Sequence, residues 1–496
     1  MAINGITGST SFFIQQLVNS RDKLDDLQRQ LGSGLKSQTY RGLGQDVSTD
    51  VAFRQQISVL EGYQQTISRV SIRLDIVDTT LNQVDEVVRE ARGAIDPNTF
   101  VVLGQNKTLA QQSAENALGE VLSVLNTKAD GRYVFSGRDV QQKPLAELGA
   151  ILDGKGALAG LRQVVNERQQ ADLGAGGLGR LTVGTVTDTV TFAEDGAHPF
   201  GFKIEDIQNG LSNVAVVSTV GPPRSEAIQF TGLPGAGESF TVEALLPDGS
   251  REQITLTASS ETAVEGTFQI GADPDATAAN FDAALNVALA AAAATALDAA
   301  SAVQAGNDFF NTENGAAPQR VDGPPFDSAT ALRDGTADTV TFYLGENLAD
   351  NPRRTSSARV DSSLVVDYGA RANEEPLSQA IRSLAVFAVE TFSETNPQDR
   401  QRYQELSSRV RQTLAFPSGA ESINQMHVEI VGVSQAVESA RQRHVSAIGM
   451  LTQTVEDIEG INLEEVSAEI ITLQTRLQAS YQTTAILNKL TLTNFI

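Results

Sequence analysis

The chain has no cysteine and no tryptophan among its 496 residues. Disulfides, thiolate nucleophiles and cysteine-ligated metals are thereby excluded. Histidine is nearly as scarce: His198, His427 and His444 lie far apart and form no ligand pair at helical spacing. Basic residues are in deficit, 37 Lys and Arg against 61 Asp and Glu, giving a net charge of −24. Affinity for phosphate backbones and anionic lipid surfaces comes from clustered cations, so neither nucleic acid nor membrane is an expected partner. No uninterrupted run of 18 apolar residues is present, which argues against a transmembrane helix. The start, Met1 to Gly8, lacks a basic stretch followed by an apolar one, so no secretory signal is read there. On composition alone that points to the cytoplasm. No catalytic, cofactor-binding or metal-binding set emerges.

What is present is hydrophobic rhythm. From Leu60 the apolar residues Tyr63, Ile67, Val70, Leu74, Val77, Leu81, Val84, Val88, Ala91 and Ile95 recur in alternating steps of three and four. That is a heptad seam on a helix of roughly 54 Å. A second helix is expected from about Asn106 to Lys128, and an earlier one through Phe13, Leu17, Leu24, Leu27 and Leu31, broken at Gly32-Ser33-Gly34. The last 75 residues mirror this. Ile423, Met426, Ile430, Val433, Val437 and Ala440 keep the rhythm, a phase slip falls near His444, and a final helix carries Val466, Ile470, Leu473, Leu477, Leu487 and Leu490. His444 itself reads as a partly exposed residue at the slip, with a register-setting polar residue on the seam as the alternative.

Between about 140 and 370 the pattern alternates with period two, as strands do. Ser239 to Leu246 and Gln253 to Ala258 form an expected hairpin around Pro247-Asp248-Gly249. Asp188 to Phe192 (Asp-Thr-Val-Thr-Phe) recurs at Asp338 to Phe342, hinting at two similar strands around an insert. Ala276 to Ala302 should be helical, with Asp273 or Asp275 capping it. Gly221-Pro222-Pro223 and Asp322-Gly323-Pro324-Pro325 read as linkers.

The expected fold is therefore α+β: a long heptad-patterned bundle made from both chain ends, with β-rich outer domains inserted between. The divisions expected are 1–45 with 450–496 as a terminal coiled-coil assembly domain and 46–140 with 370–449 as a helical rod core. Residues 141–220 with 313–369 make a β-rich outer domain, and 221–312 an inserted β/α domain. The assembly seam is read as Leu60, Ile67, Leu74, Leu81 and Val88 in front, and Val466, Ile470, Leu473, Leu477, Leu487, Leu490 and Phe495 behind. A cytoplasmic coiled-coil adaptor with a β binding domain would share this pattern.

Thr127 to Gly137 reads Thr-Lys-Ala-Asp-Gly-Arg-Tyr-Val-Phe-Ser-Gly, with Tyr133 and Phe135 expected on one face of a short strand and Val134 on the other. Gly131, Tyr133, Phe135, Ser136 and Gly137 resemble a signature of the bacterial flagellin superfamily, most closely its FlgL-type hook–filament junction branch. Leu27 to Gly34, Tyr368 to Glu374 and Gln478 to Ile496 resemble other family segments. Thr39 to Gly44 departs from the usual pattern. The resemblance implies a non-enzymatic, extracellular axial subunit that assembles with itself into a helical oligomer. It also implies contact with hook-associated proteins and flagellin, export without a signal peptide through the flagellar type III apparatus, and an export chaperone at the C-terminal helix. A filament-forming flagellin is the alternative.

Overall fold

In the computed structural model, residues 4–312 and 315–493 are described. Helix α1 (Asn4–Ser33) stops where Gly34 adopts φ +76°, its N–H donating to Gln30 O at 2.8 Å. This is the left-handed cap that glycine takes without a Cβ clash. Helix α2 (Val47–Ala94) has 48 residues and so rises roughly 72 Å. It begins well before Leu60, and half-buried Val47, Phe53 and Ile57 with the buried Asp50 carry the inward-facing stripe back to its start. Helix α3 (Leu109–Leu125) starts at a capping box, with Thr108 and Gln111 satisfying each other's free N–H groups. A small hairpin, β1 (Lys128–Ala129) and β2 (Arg132–Tyr133), leads to α4 (Leu148–Asp153) and α5 (Leu161–Leu173).

Eight strands follow: β3 (Leu181–Val186), β4 (Thr189–Glu194), β5 (Lys203–Asn209), β6 (Val214–Thr219), β7 (Ser225–Phe230), β8 (Ser239–Leu245), β9 (Arg251–Ser259) and β10 (Thr267–Gln269). Helix α6 (Pro274–Ala292), capped by Asp273 as expected, continues through one wide turn (Ala293–Leu297) into α7 (Asp298–Phe309). Short strands β11 (Gln319–Val321), β12 (Leu332–Asp334), β13 (Ser357–Arg359) and β14 (Val365–Asp367) precede four closing helices. These are α8 (Glu375–Val389), α9 (Asp399–Thr413), α10 (Ile423–Glu459) and α11 (Leu463–Thr493). The fold is α+β, as the alternation of periods implies.

The chain forms two compact units. One comprises Met1–Arg69, Arg359–Val365 and Gln435–Ile496; the other comprises Val70–Ala358 and Val366–Ser434. In the second unit the strands make two four-stranded sheets, ordered β3-β4-β7-β6 and β10-β9-β8-β5. The first is antiparallel throughout; in the second, only the β10–β9 pair is parallel. Side chains from α6 pack with both sheets in one core. Phe281 sits edge-on to Phe240 and to Phe268, each 5.2 Å away, and 5.5 Å from Phe230. Such pairs add roughly 0.5–1.5 kcal/mol each beyond the area they bury.

Three expectations are corrected here. The border at 220/221 cuts both sheets, since β7 pairs with β4 and β6 while β8 pairs with β5. Residues 221–312 are therefore no separable insert; three of the five pairings their strands make are with strands before the border. The second copy of Asp-Thr-Val-Thr-Phe is not a strand like β4. It makes only single bridges, Thr339 to Ala159 and Tyr343 to Leu145, although Val340 and Phe342 are buried like Val190 and Phe192. Finally, Pro274–Phe309 is apolar and long enough to cross a membrane by composition, because alanine raises hydropathy without an unbroken run. Its large residues Phe281, Leu285 and Leu289 are fully buried in the sheet core instead.

The second unit also buries surplus negative charge. Glu390 and Asp298 share Arg402, at 3.8 and 3.4 Å, and Gln169 Nε2 donates to Glu390 Oε1 at 2.8 Å. Burial, and then repulsion by Asp298, push the Glu390 carboxyl up to about 8; burial raises Asp298 too. An unfolded glutamate titrates near ~4.3, so the folded chain holds a proton that the unfolded chain releases. This carboxyl thus costs stability as pH rises from the unfolded value through about 8. Glu390→Gln is expected to raise the melting temperature at pH 8 by several degrees and hardly at all near pH 4. Equal shifts at both pH values, by circular dichroism, would refute the burial account.

Candidate assembly surface

The first unit is built from the two chain ends. Leu27 of α1 packs with Val466, Ile470 and Leu473 of α11, flanked by Leu24 and Ile461. Lys23 and Glu469 form an ion pair on the rim. The heptad steps of α11 put Val466, Ile470, Leu473 and Leu477 on one stripe, and α1 occupies that stripe.

Where both helices break, the breaks hold each other. Leu35 bridges Gly460; Lys36 N donates to Glu459 O at 2.6 Å and Ile461 N to Gly34 O at 3.1 Å. The Lys36 ammonium donates to Asp457 O and Ile458 O, at 3.1 and 2.8 Å. These are last-turn carbonyls of α10, where the helix dipole favours a cation. Arg54 of α2 grips both oxygens of Glu459 at 2.6 Å. Asn462 Oδ1 accepts from the N–H of Glu464 and of Glu465 and so starts α11. The sequence reading marked the break at Gly32 to Gly34 but not this clasp. The signal was the second glycine, Gly460, followed by the capping Asn462.

His444 is buried rather than partly exposed. Its Nε2 lies 2.8 Å from Val360 O, and its ring stacks on Tyr63 at 5.6 Å. The phase slip leaves room for a polar ring because a carbonyl from the 359–365 segment meets it.

The seam residues divide clearly. Ile67, Leu74, Leu81 and Val88 of α2 are at most 1% exposed, and Leu60 is half-buried. Val466, Ile470, Leu473 and Leu477 are buried as well. These side chains are consumed within the chain. The side chains of Leu487 and Leu490, and all of Phe495, lie outside the described residues. What remains open is spread around both helices: Phe12, Phe13, Ile14 and Val18 on α1, with Leu463, Ile471, Tyr481 and Ile486 on α11. Each is more than half exposed, up to 69% at Phe12. Exposed large apolar side chains this numerous on two packed helices mark an interaction surface.

The aromatic signature serves a different purpose. Asp130 and Gly131, with φ +49° and +74°, form the two-residue turn that joins β1 to β2. Tyr133 is half-buried beneath Lys128, whose Nζ lies 4.5 Å from the ring centre. The strand ends there, so Val134 and Phe135 are both buried and the expected alternation fails. Phe135 O accepts from Ala372 N at 2.9 Å, and Ser136 bridges Arg371. Gly137, at φ +67°, leaves no room for a Cβ, which would sit 2.7 Å from a Glu346 carboxylate oxygen. The signature therefore joins outgoing chain to returning chain at 370–372, and its Phe135 is closed to any partner.

Residues 8–139, from α1 through this hairpin, match the family model described as the bacterial flagellin N-terminal helical region. No curated protein matches the chain.

Proposed function

We propose, from the match of residues 8–139 to the bacterial flagellin N-terminal helical region, that this chain is a flagellar structural protein of that superfamily and its hook–filament junction subunit. Its neighbours on this reading are copies of itself, hook-associated proteins and flagellin. It is exported through the flagellar type III route, where a chaperone holds the C-terminal helix, and it carries no catalytic or cofactor site. Residues 1–45 with 450–496 form the assembly domain, 46–140 with 370–449 the rod, and 141–369, taken whole, the outer part.

The observation that carries the assembly reading is the set of exposed large apolar side chains on α1 and α11. Covering one half-exposed side chain of this size is worth about 1 kcal/mol. The eight named above supply roughly 8, against an association cost of about 4–15 kcal/mol. One neighbour therefore barely compensates, and two or more are needed at once. Such a subunit stays monomeric until a growing end offers several neighbours, and repeats by a rotation that does not close.

The aromatic hairpin supports the junction branch; the large outer part suits a filament flagellin equally. Attaching a label at exposed Val220 and imaging flagella separates them. A short band at the hook end is expected; label along the filament would establish the alternative.

A further inference from the structure

The two sheets of the outer part treat their edges differently. An unprotected edge strand presents free N–H and C=O groups that another chain can pair with, and proteins blunt such edges with charge, bulges or short strands. The β10-β9-β8-β5 sheet has all three. Strand β5 carries Lys203, Glu205 and Asp206 and a bulge between Ile204 and Asp206, and β10 has only 3 residues. The β3-β4-β7-β6 sheet has none of them. Its edges, β3 (Leu-Thr-Val-Gly-Thr-Val) and β6 (Val-Ala-Val-Val-Ser-Thr), carry no charged residue in a chain of net charge −24. Val186 is 75% exposed and Val217 66%.

The two edges also match each other. Each has 6 residues. Asp195 N donates to Arg180 O across β3 and β4; by the period-two alternation of a ladder, Leu181, Val183 and Thr185 turn their backbone groups outward. Thr231 N donates to Asn213 O across β7 and β6, so Val214, Val216 and Ser218 do the same. One of these groups is engaged: Val214 O accepts from Asn209 Nδ2 at 3.0 Å. Four strands of alternating direction make β3 and β6 antiparallel. A translated copy would bring its β6 against β3 in the same antiparallel sense as every pair inside the sheet.

We propose that in the polymer β3 of one subunit pairs with β6 of the next, joining outer sheets of neighbouring copies into one continuous sheet. This rests on the assembly reading and adds a second, outer contact to it. Pairing outward residue with outward residue places Val183 opposite the neighbour's Val216. Thr182 then faces Val217, both exposed; a two-residue shift of register brings Gly184 opposite Val217.

The absence of cysteine makes the test clean. Thr182→Cys with Val217→Cys, and separately Gly184→Cys with Val217→Cys, are oxidised as monomer and as polymer. The expected result is a ladder of disulfide-linked multimers from one pair, in polymer only, with none beyond dimers from any single-cysteine variant. Polymer that sediments like wild type yet yields no ladder from either pair overturns the proposal and leaves the assembly reading standing. Wild-type protein that forms no polymer under any seeded condition overturns both.

Discussion

Removing Leu473 to Ile496 abolishes incorporation into polymer while the two sheets stay folded. The deletion takes Leu473 and Leu477 off the stripe against which Leu27 packs, leaving α1 with Val466 and Ile470. It also removes the exposed apolar side chains Tyr481 and Ile486. Loss of one buried leucine from a cluster costs about 2–5 kcal/mol, and isolated helices have little stability to lose. No residue of the deleted segment belongs to the sheet core around Phe281. Sedimentation with wild-type seeds measures incorporation, and near-ultraviolet dichroism of the buried phenylalanines reports the core. Incorporation at the wild-type level would end the assembly assignment of these helices.

Val77→Pro has the largest expected cost to folding. Val77 is 1% exposed, midway along α2 between Leu74 and Leu81. Proline there deletes an N–H donor and drives its ring into the carbonyl one turn back, costing ~3 kcal/mol or more. A kink also takes Leu81, Val84 and Val88 out of line with their buried positions, adding loss of packing. At roughly 2–4 °C per kcal/mol for a domain of this scale, melting should fall by about 6–12 °C or more. Assembly should fail even where the variant still folds. A variant with wild-type melting would mean that α2 is not one continuous helix.

The helices were legible in the sequence wherever one residue class repeats with the helical period. Leu60 to Ile95 and Val466 to Leu477 announce themselves because burial on one side requires that spacing. The early part of α2 did not, since its inward stripe of Val47, Phe53 and Ile57 is interrupted by a buried polar residue, Asp50. The hairpin β8–β9 was legible because its turn is local. Sheet order was not: β5 finds β8 across some thirty residues, and nothing in either strand names its partner. That is why the border near Gly221 fell in the wrong place. His444 misled for a related reason, since its partner Val360 lies 84 residues away. In the assembly surface, periodicity identified what the chain packs against itself. The residues left over for a neighbour became distinguishable only once that internal stripe was assigned.

The clasp between the two helix breaks has a consequence for how such a gene can change. Gly34 to Lys36 and Glu459 to Ile461 are hydrogen-bonded residue against residue. One codon inserted after Ser33 would turn α1 by roughly 100° and shift it by about 1.5 Å, carrying Leu27 off Ile470. Loops between the outer strands face no such residue-against-residue register. The two breaks do, and a length change in one survives only with a compensating change in the other. Codons more than 400 positions apart are thereby constrained to evolve as a pair.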